Sequence, residues 1–161
     1  MSVVASDTAS DSFTYAQDWE VNVGVGAAFS QTTGSGKVDL TISVGNATAG
    51  LSMFCYDLSG VAPQPQTSTG MGNGSTASVS PSLALSGESQ VIALWAWYGT
   101  APQLTAGPGY SLTSGSPITG HSSNYVASEY AKVAPGTTTC AMTSATSQAW
   151  GGMCFAFPSS F

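Results

Sequence analysis

Hydrophobic and polar positions alternate with a period of two along residues 20–29. In the sequence EVNVGVGAAF every second residue is Val, Ala or Phe, and most residues between them are Glu, Asn or Gly. Residues 37–44, KVDLTISV, repeat the scheme with Lys, Asp, Thr and Ser on the second face. Since successive side chains of a β-strand point to opposite faces, the pattern predicts two half-buried strands. The Gly-rich link 32–36 indicates that they form a hairpin.

Further along the chain, apolar segments alternate with Gly-, Ser- and Pro-rich connections. Residues 90–98, QVIALWAWY, are apolar on both faces, as expected of a strand that is covered on both sides. Residues 62–78 are polar, and their prolines and glycines indicate a loop or an edge region, because proline cannot donate to a central ladder. Residues 125–134 fit a short helix or a strand, and 137–157 fit two strands about a Thr/Ser turn. Seven to nine strands with such frequent turns predict an all-β fold, a two-sheet β-sandwich.

Aromatic residues are concentrated in the 90–98 segment. Trp95 and Trp97 share one face of the predicted strand with uncharged neighbours, and Tyr98 lies on the other face. Large aromatic side chains dominate protein cores, so we expect the two tryptophans in the interior of the sandwich. Trp19 and Trp150 have polar or glycine neighbours, and we expect their rings to be partly exposed.

The charge content excludes several classes of function. Only 6% of the residues are charged, and two lysines are the only basic side chains apart from one histidine, which gives a formal net charge of −6. Such a chain cannot neutralise a run of phosphates, so no nucleic-acid partner is expected. No apolar stretch approaches the length of a membrane span, and the first 13 residues lack the basic and apolar regions of a signal peptide. Neither membrane insertion nor a signal peptide is predicted.

Three candidate motifs for binding or catalysis lack the spacing or the partner residues that their chemistry requires. The segment TGSGKV, 33–38, lacks the first Gly and the final Ser or Thr of a phosphate-binding loop, so it is predicted to be a turn. His121 is the only histidine and lies in a Ser/Gly segment with no nucleophile motif, which argues against a catalytic triad and a zinc site. Asp7, Asp11 and Asp18 do not have the spacing of an EF-hand loop, and a calcium site built from scattered oxygens is the alternative for them. We therefore predict no metal and no cofactor.

Two carboxylates allow an enzymatic alternative. Asp57 and Glu129 lie in apolar segments, where a carboxyl group can have a raised pKa and act as a general acid. In the structural alternative, Asp57 caps a turn and Glu129 points outwards or pairs with Lys132. The structural alternative is favoured, and no catalytic residue is predicted.

Cysteines and glycosylation motifs bear on the location of the protein. Cys140 and Cys154 flank a predicted hairpin, which would permit a disulfide and leave Cys55 unpaired. The alternative is three reduced, buried thiols. Asn46 and Asn73 begin Asn-x-Ser/Thr motifs in predicted loops, as in a glycosylated exported protein, although chance matches arise easily in a chain so rich in Ser and Thr.

Several motifs occur together in a characteristic order. YDLSGV (56–61) precedes a polar loop and an apolar strand, and AGPGYSL (106–112), ASEY (127–130) and AWGGMCFAF (149–157) follow. In this order the chain resembles, over about residues 20–157, a jelly-roll β-sandwich module of archaeal and bacterial secreted surface proteins and of phage tail proteins. The resemblance implies a non-enzymatic building or adhesion unit, and no catalytic residue is carried over.

One departure from that resemblance concerns the beginning of the chain. Similar modules have one or two more strands before the region that matches residues 7–18, whereas this chain begins close to it. A sandwich without that strand has open backbone groups at an edge, which invite a strand from another chain. We therefore expect residues 20–161 to form the β-sandwich domain and residues 1–19 to be an N-terminal segment able to act as an exchanged or added strand.

Three hypotheses of function follow. The first is a structural or adhesive subunit of an extracellular assembly, at a cell surface or in a virion, whose partners are copies of itself or a larger scaffold. The second is a carbohydrate- or receptor-binding module in which Trp19, Trp150 and Tyr110 stack on glycans. The third is a glycoside-active enzyme that uses Asp57 and Glu129.

Overall fold

Every regular element in the described part of the chain is a β-strand, which confirms the predicted all-β fold. The computed structural model describes residues 52–62, 64–80, 82–119 and 123–160, and the backbone of four further strands. Eight strands have five or more residues and five have two or three. The strands are β1 (Val3–Asp7), β2 (Thr14–Trp19), β3 (Gly24–Phe29), β4 (Leu40–Val44), β5 (Gln66–Ser78), β6 (Leu83–Leu85), β7 (Ser89–Tyr98), β8 (Leu104–Thr105), β9 (Ser111–Leu112), β10 (Ile118–Thr119), β11 (Asn124–Val133), β12 (Gly136–Thr138) and β13 (Ala141–Pro158).

The largest sheet is built around β7. Its strands follow the order β10-β11-β7-β13-β5, and all pairs are antiparallel, with β8 added to β13 and β9 added to β11. All ten residues of β7 are in register with both β11 and β13. This central position agrees with the apolar side chains on both faces of β7, because a strand with neighbours on both sides buries most of its residues.

One face of this sheet carries the main hydrophobic core, as predicted from the aromatic segment. Trp95 is 1% exposed and Trp97 is fully buried, whereas Tyr98, on the opposite face, is 40% exposed. The core is closed by the short β6–β12 pair and by the chain around β8 and β9. Its buried members are Ala77, Val79, Leu83, Leu85, Val91, Ala93, Trp95, Trp97, Ala127, Cys140, Met142, Trp150, Cys154 and Ala156.

The opposite face carries a second, smaller buried cluster. Ala96, Met153 and Phe155 are buried there in a smaller cluster. The β2–β3 pair contacts β13, and β3 also contacts β7. With buried clusters on both faces of the seven-stranded sheet, the architecture is consistent with the predicted β-sandwich.

β13 turns back on itself within the structure. Cys140, next to its first residue, and Cys154, near its end, are joined by a disulfide with a Cα–Cα distance of 6.0 Å, although they are 14 residues apart. An extended strand of that length would span about 46 Å. The turn lies at an irregularity between Thr143 and Gln148, and Gln148 Nε2 donates a hydrogen bond to Ser144 Oγ at 3.3 Å across it. The disulfide thus fastens the two arms of one folded strand.

Strand pairing differs from the sequence prediction at several points. The predicted hairpin between residues 20–29 and 37–44 is wrong, since β3 pairs with β2 and β4 pairs with β1. A period of two fixes which face is buried but does not select the neighbouring strand. Residues 62–78 contain the edge strand β5 (Gln66–Ser78). Of the two predicted alternatives, the edge strand is therefore confirmed, and the loop is wrong for these residues. Residues 125–134 adopt the strand alternative.

Candidate functional site

The main sheet ends in two very different edge strands. β10 at one end has two residues, whereas β5 at the other has 13, of which 66–74 pair with one arm of the folded β13 and 76–78 with the other. A short edge offers few unpaired backbone groups, and a long edge presents a row of them to any chain able to pair. β5 is therefore the edge at which a further strand can be added.

The bridges formed by Thr69 show which residues of β5 point outwards. Thr69 is in register with Met153 of β13 and also forms a bridge with Ser80, whose N–H donates to the Thr69 carbonyl at 3.1 Å. The two bridge partners of a strand residue lie on opposite sides, so Thr69 directs its carbonyl away from β13. Backbone groups alternate in direction along a strand, and those of Met71 and Asn73 therefore also point outwards. Among the described residues, no strand pairs with them on that side.

Apart from the Thr69–Ser80 bridge, nothing in the composition of β5 protects this edge. Natural edge strands are commonly guarded by Lys, by Pro or by charges, and Gln66–Ser78 contains none of these. Met71 is 43% exposed beside it. The edge therefore offers neutral backbone donors and acceptors next to an apolar side chain, which is the chemistry of strand addition.

Glu129 forms a separate polar centre in the main core. Its side chain is fully buried, Trp95 Nε1 donates to one carboxyl oxygen at 3.1 Å, and the Gly107 N–H donates to the other at 2.8 Å. Burial raises the pKa of Glu129, and these two hydrogen bonds oppose the rise. The prediction that Glu129 points outwards or pairs with Lys132 is wrong, because Lys132 pairs with Glu88 at 2.7 Å. Through these hydrogen bonds, Glu129 connects the Gly107 loop and the Trp95 ring to β11.

Asp57 lies on the other side of the sheet from Glu129. The neighbouring Tyr56 hydroxyl forms a hydrogen bond with Ser128 Oγ. Side chains alternate along a strand, so Ser128 and Glu129 point to opposite faces of β11. Asp57 itself is exposed. The structure therefore does not bring the two carboxylates together as a glycosidase pair.

Trp150 is not the exposed ring that the sequence suggested. It is 7% exposed, and its ring meets that of Trp95 edge to face, with centroids 6.2 Å apart. A Cβ built on Gly72, its register partner in β5, would lie 3.1 Å from the Trp150 ring. The glycine neighbours therefore provide space for a buried ring and do not indicate exposure.

The other predicted site residues are spread over the molecule. Tyr110 is half-buried against the main core, and its hydroxyl lies 3.2 Å from Thr138 Oγ1. The Trp19 side chain, Asn46 and His121 lie outside the described residues. These positions do not form one aromatic platform with Trp150 in the part that the structure describes.

Asn73 and Cys55 both lie on the surface. Asn73 is exposed in strand β5, not in the predicted loop, and Cys55 is an exposed free thiol. No group of His, Cys, Asp and Glu among the described residues is arranged to hold a metal ion. The described residues also include no helix that could cross a membrane.

The spacing of the glycines in β5 is a sequence signal for a closely packed strand. Gly70, Gly72 and Gly74 recur with a period of two. Cβ atoms on the first two would contact the Val79 backbone and the Trp150 ring, respectively. Glycines on one face of a strand mark a close approach by another segment, so this period predicts a packed strand.

Comparisons of the chain with family models, with curated proteins and with solved structures give no match. The resemblance to jelly-roll surface modules therefore stays a prediction.

Proposed function

We propose that this chain is a non-enzymatic structural or adhesive subunit of an extracellular assembly, such as a surface filament or a virion or tail component. Copies associate through their β5 edges. The observation that carries the proposal is the edge segment 66–74 of β5, which has no charge or proline, and whose outward backbone groups at Met71 and Asn73 have no strand partner among the described residues.

A second copy of the chain suits this edge for reasons of symmetry and charge. Two antiparallel β5 strands related by a two-fold axis present the same donors and acceptors to each other, as an isologous interface requires. The net charge of −6 would oppose association, but β5 itself carries no charge that would face its own copy. The disulfide supports an extracellular location, because disulfides persist mainly in oxidising compartments.

A single edge contact should be weak. Each backbone hydrogen bond contributes about 0.5–1.5 kcal/mol net, while association costs roughly 4–15 kcal/mol. Burial of Met71 adds a further apolar contribution. We therefore expect a dissociation constant in roughly the millimolar range for one pair, and stable assembly only where many copies are aligned.

Sedimentation velocity at increasing protein concentration tests the proposal. Wild-type protein should show reversible self-association, and Met71→Lys should abolish it by placing a buried like-charge pair at the contact. Tyr130→Lys is the matched control, since Tyr130 is 50% exposed on β11, away from the β5 edge. A monomer at about 1 mM, or equal loss in both variants, would contradict assembly through β5.

A further inference from the structure

The proposed contact strand contains a glycosylation motif. Asn73-Gly74-Ser75 lies within β5, and the side chains of Asn73 and Ser75 are exposed. Asn73 is in register with Ala149, and its backbone groups point away from β13. Gly74 has a φ of +149°, at the point where the register with β13 is interrupted. The acceptor amide therefore lies on the open edge, next to a break in the strand.

We propose that Asn73 accepts an N-linked glycan and that this glycan blocks β5 pairing, so that the modification sets how much of the protein can assemble. The inference rests on the proposed function. The donor would be a polyprenyl-diphosphate-linked oligosaccharide. A bond forms between Asn73 Nδ2 and the first sugar carbon, the bond from that carbon to the phosphate oxygen breaks, and polyprenyl diphosphate and the amide proton leave.

A glycan on Asn73 would prevent another strand from pairing with β5 by steric crowding. A strand added to β5 would lie about 4.8 Å from it, and its side chains would stand about 5 Å from the Asn73 Cβ on the same face. A branched glycan on Asn73 has to occupy that space. On the inner side, β13 occupies the neighbouring position and offers only the small Ala149 opposite Asn73, so a glycan can be accommodated on the folded subunit itself.

Production of the full chain in two kinds of cell tests this inference. Protein from bacterial cytoplasm, refolded oxidatively, provides the unmodified form, and protein from a eukaryotic secretory pathway provides the modified form. All chains carry Asn46→Gln, which removes the other motif. Ser75→Ala removes the Asn73 motif without changing Asn73, and Ser75→Thr preserves it. Occupancy is measured by peptide mass spectrometry and association by sedimentation velocity.

We expect secreted wild-type and Ser75→Thr chains to carry the glycan and to associate at least about tenfold more weakly than the bacterial protein. Secreted Ser75→Ala should associate like the bacterial protein. An unmodified Asn73 in secreted protein, or a glycosylated chain that associates as strongly as the bacterial one, would overturn the inference. A bacterial protein that stays monomeric would instead refute the proposed function itself, and mass spectrometry would still report whether Asn73 is an acceptor.

Discussion

Glu129→Gln, studied as a function of pH, tests the polar centre of the core. Burial raises the pKa of Glu129 above its ordinary value of 4.5, so the folded state holds this proton more tightly than the unfolded chain does. By proton linkage, the stability contributed by this group is fully present below the ordinary pKa and is lost as the pH rises through the raised folded pKa. Wild-type protein should therefore lose this contribution above about pH 4.5.

The structure also sets the scale of the effect. A single group can change the free energy of unfolding by at most about 1.4 kcal/mol per pH unit, and the substitution removes this dependence. Glutamine has one acceptor oxygen, so it leaves either Trp95 Nε1 or the Gly107 N–H without an acceptor. An unpaired buried donor costs about 1–3 kcal/mol. We expect the variant to be less stable than wild type by about that amount near pH 4, with a difference that shrinks as the pH rises.

Urea unfolding followed by tryptophan fluorescence between about pH 4 and 8 provides the assay. The compared quantity is the difference between wild type and variant, because the other carboxylates contribute equally to both. Glu88→Gln is the matched control, since Glu88 is an exposed residue that pairs with Lys132 at the surface, and its replacement should change the free energy of unfolding little. A Glu129→Gln protein that keeps the full wild-type pH dependence would refute the assignment.

Two further predictions concern packing around β13. Replacing Cys140 and Cys154 together by Ala should lower the free energy of unfolding by about 3 kcal/mol, as expected for a disulfide-closed loop of about 15 residues. An unchanged thermal midpoint would show that the bond does not constrain the unfolded chain. Gly152→Ala should cost about 1–3 kcal/mol or more, because its Cβ would lie 2.3 Å from the buried Trp95 ring. Gly87→Ala, where a Cβ meets nothing within 4 Å, should be close to neutral, and equal urea midpoints for the two glycine variants would contradict the packing argument.

The all-β fold and the burial of Trp95 and Trp97 could be predicted because they depend on local pattern. A period of two determines faces, and an apolar run without charge identifies a covered strand. Strand partners depend on contacts between distant segments, and the pattern carries no information about them. For this reason β3 could be predicted as a strand from the alternation in residues 20–29, while its pairing with β2 could not.

The site was harder to predict because glycine occurs both in loops and at positions where another group packs closely against a strand. The glycines in residues 62–78 indicate, together with the prolines, a loop or an edge region, and those next to Trp150 indicate exposure. In the structure both sets leave room for a neighbouring group, namely the Trp150 ring over Gly72 and the Trp95 ring over Gly152. The buried contacts of Glu129 could not be predicted from the sequence pattern either, because one of them joins β11 to a backbone N–H 22 residues away.

The position of β13 has a consequence for biosynthesis. It is the last described strand in chain order, yet it lies between β7 and β5 and supplies the ladder partner of both. On a ribosome, β5 would emerge roughly 70 residues before that partner, with its neutral backbone uncovered on both sides. Long-range pairing of this kind folds slowly and is exposed to aggregation. We therefore expect the nascent chain to be prone to aggregation until β13 has been made.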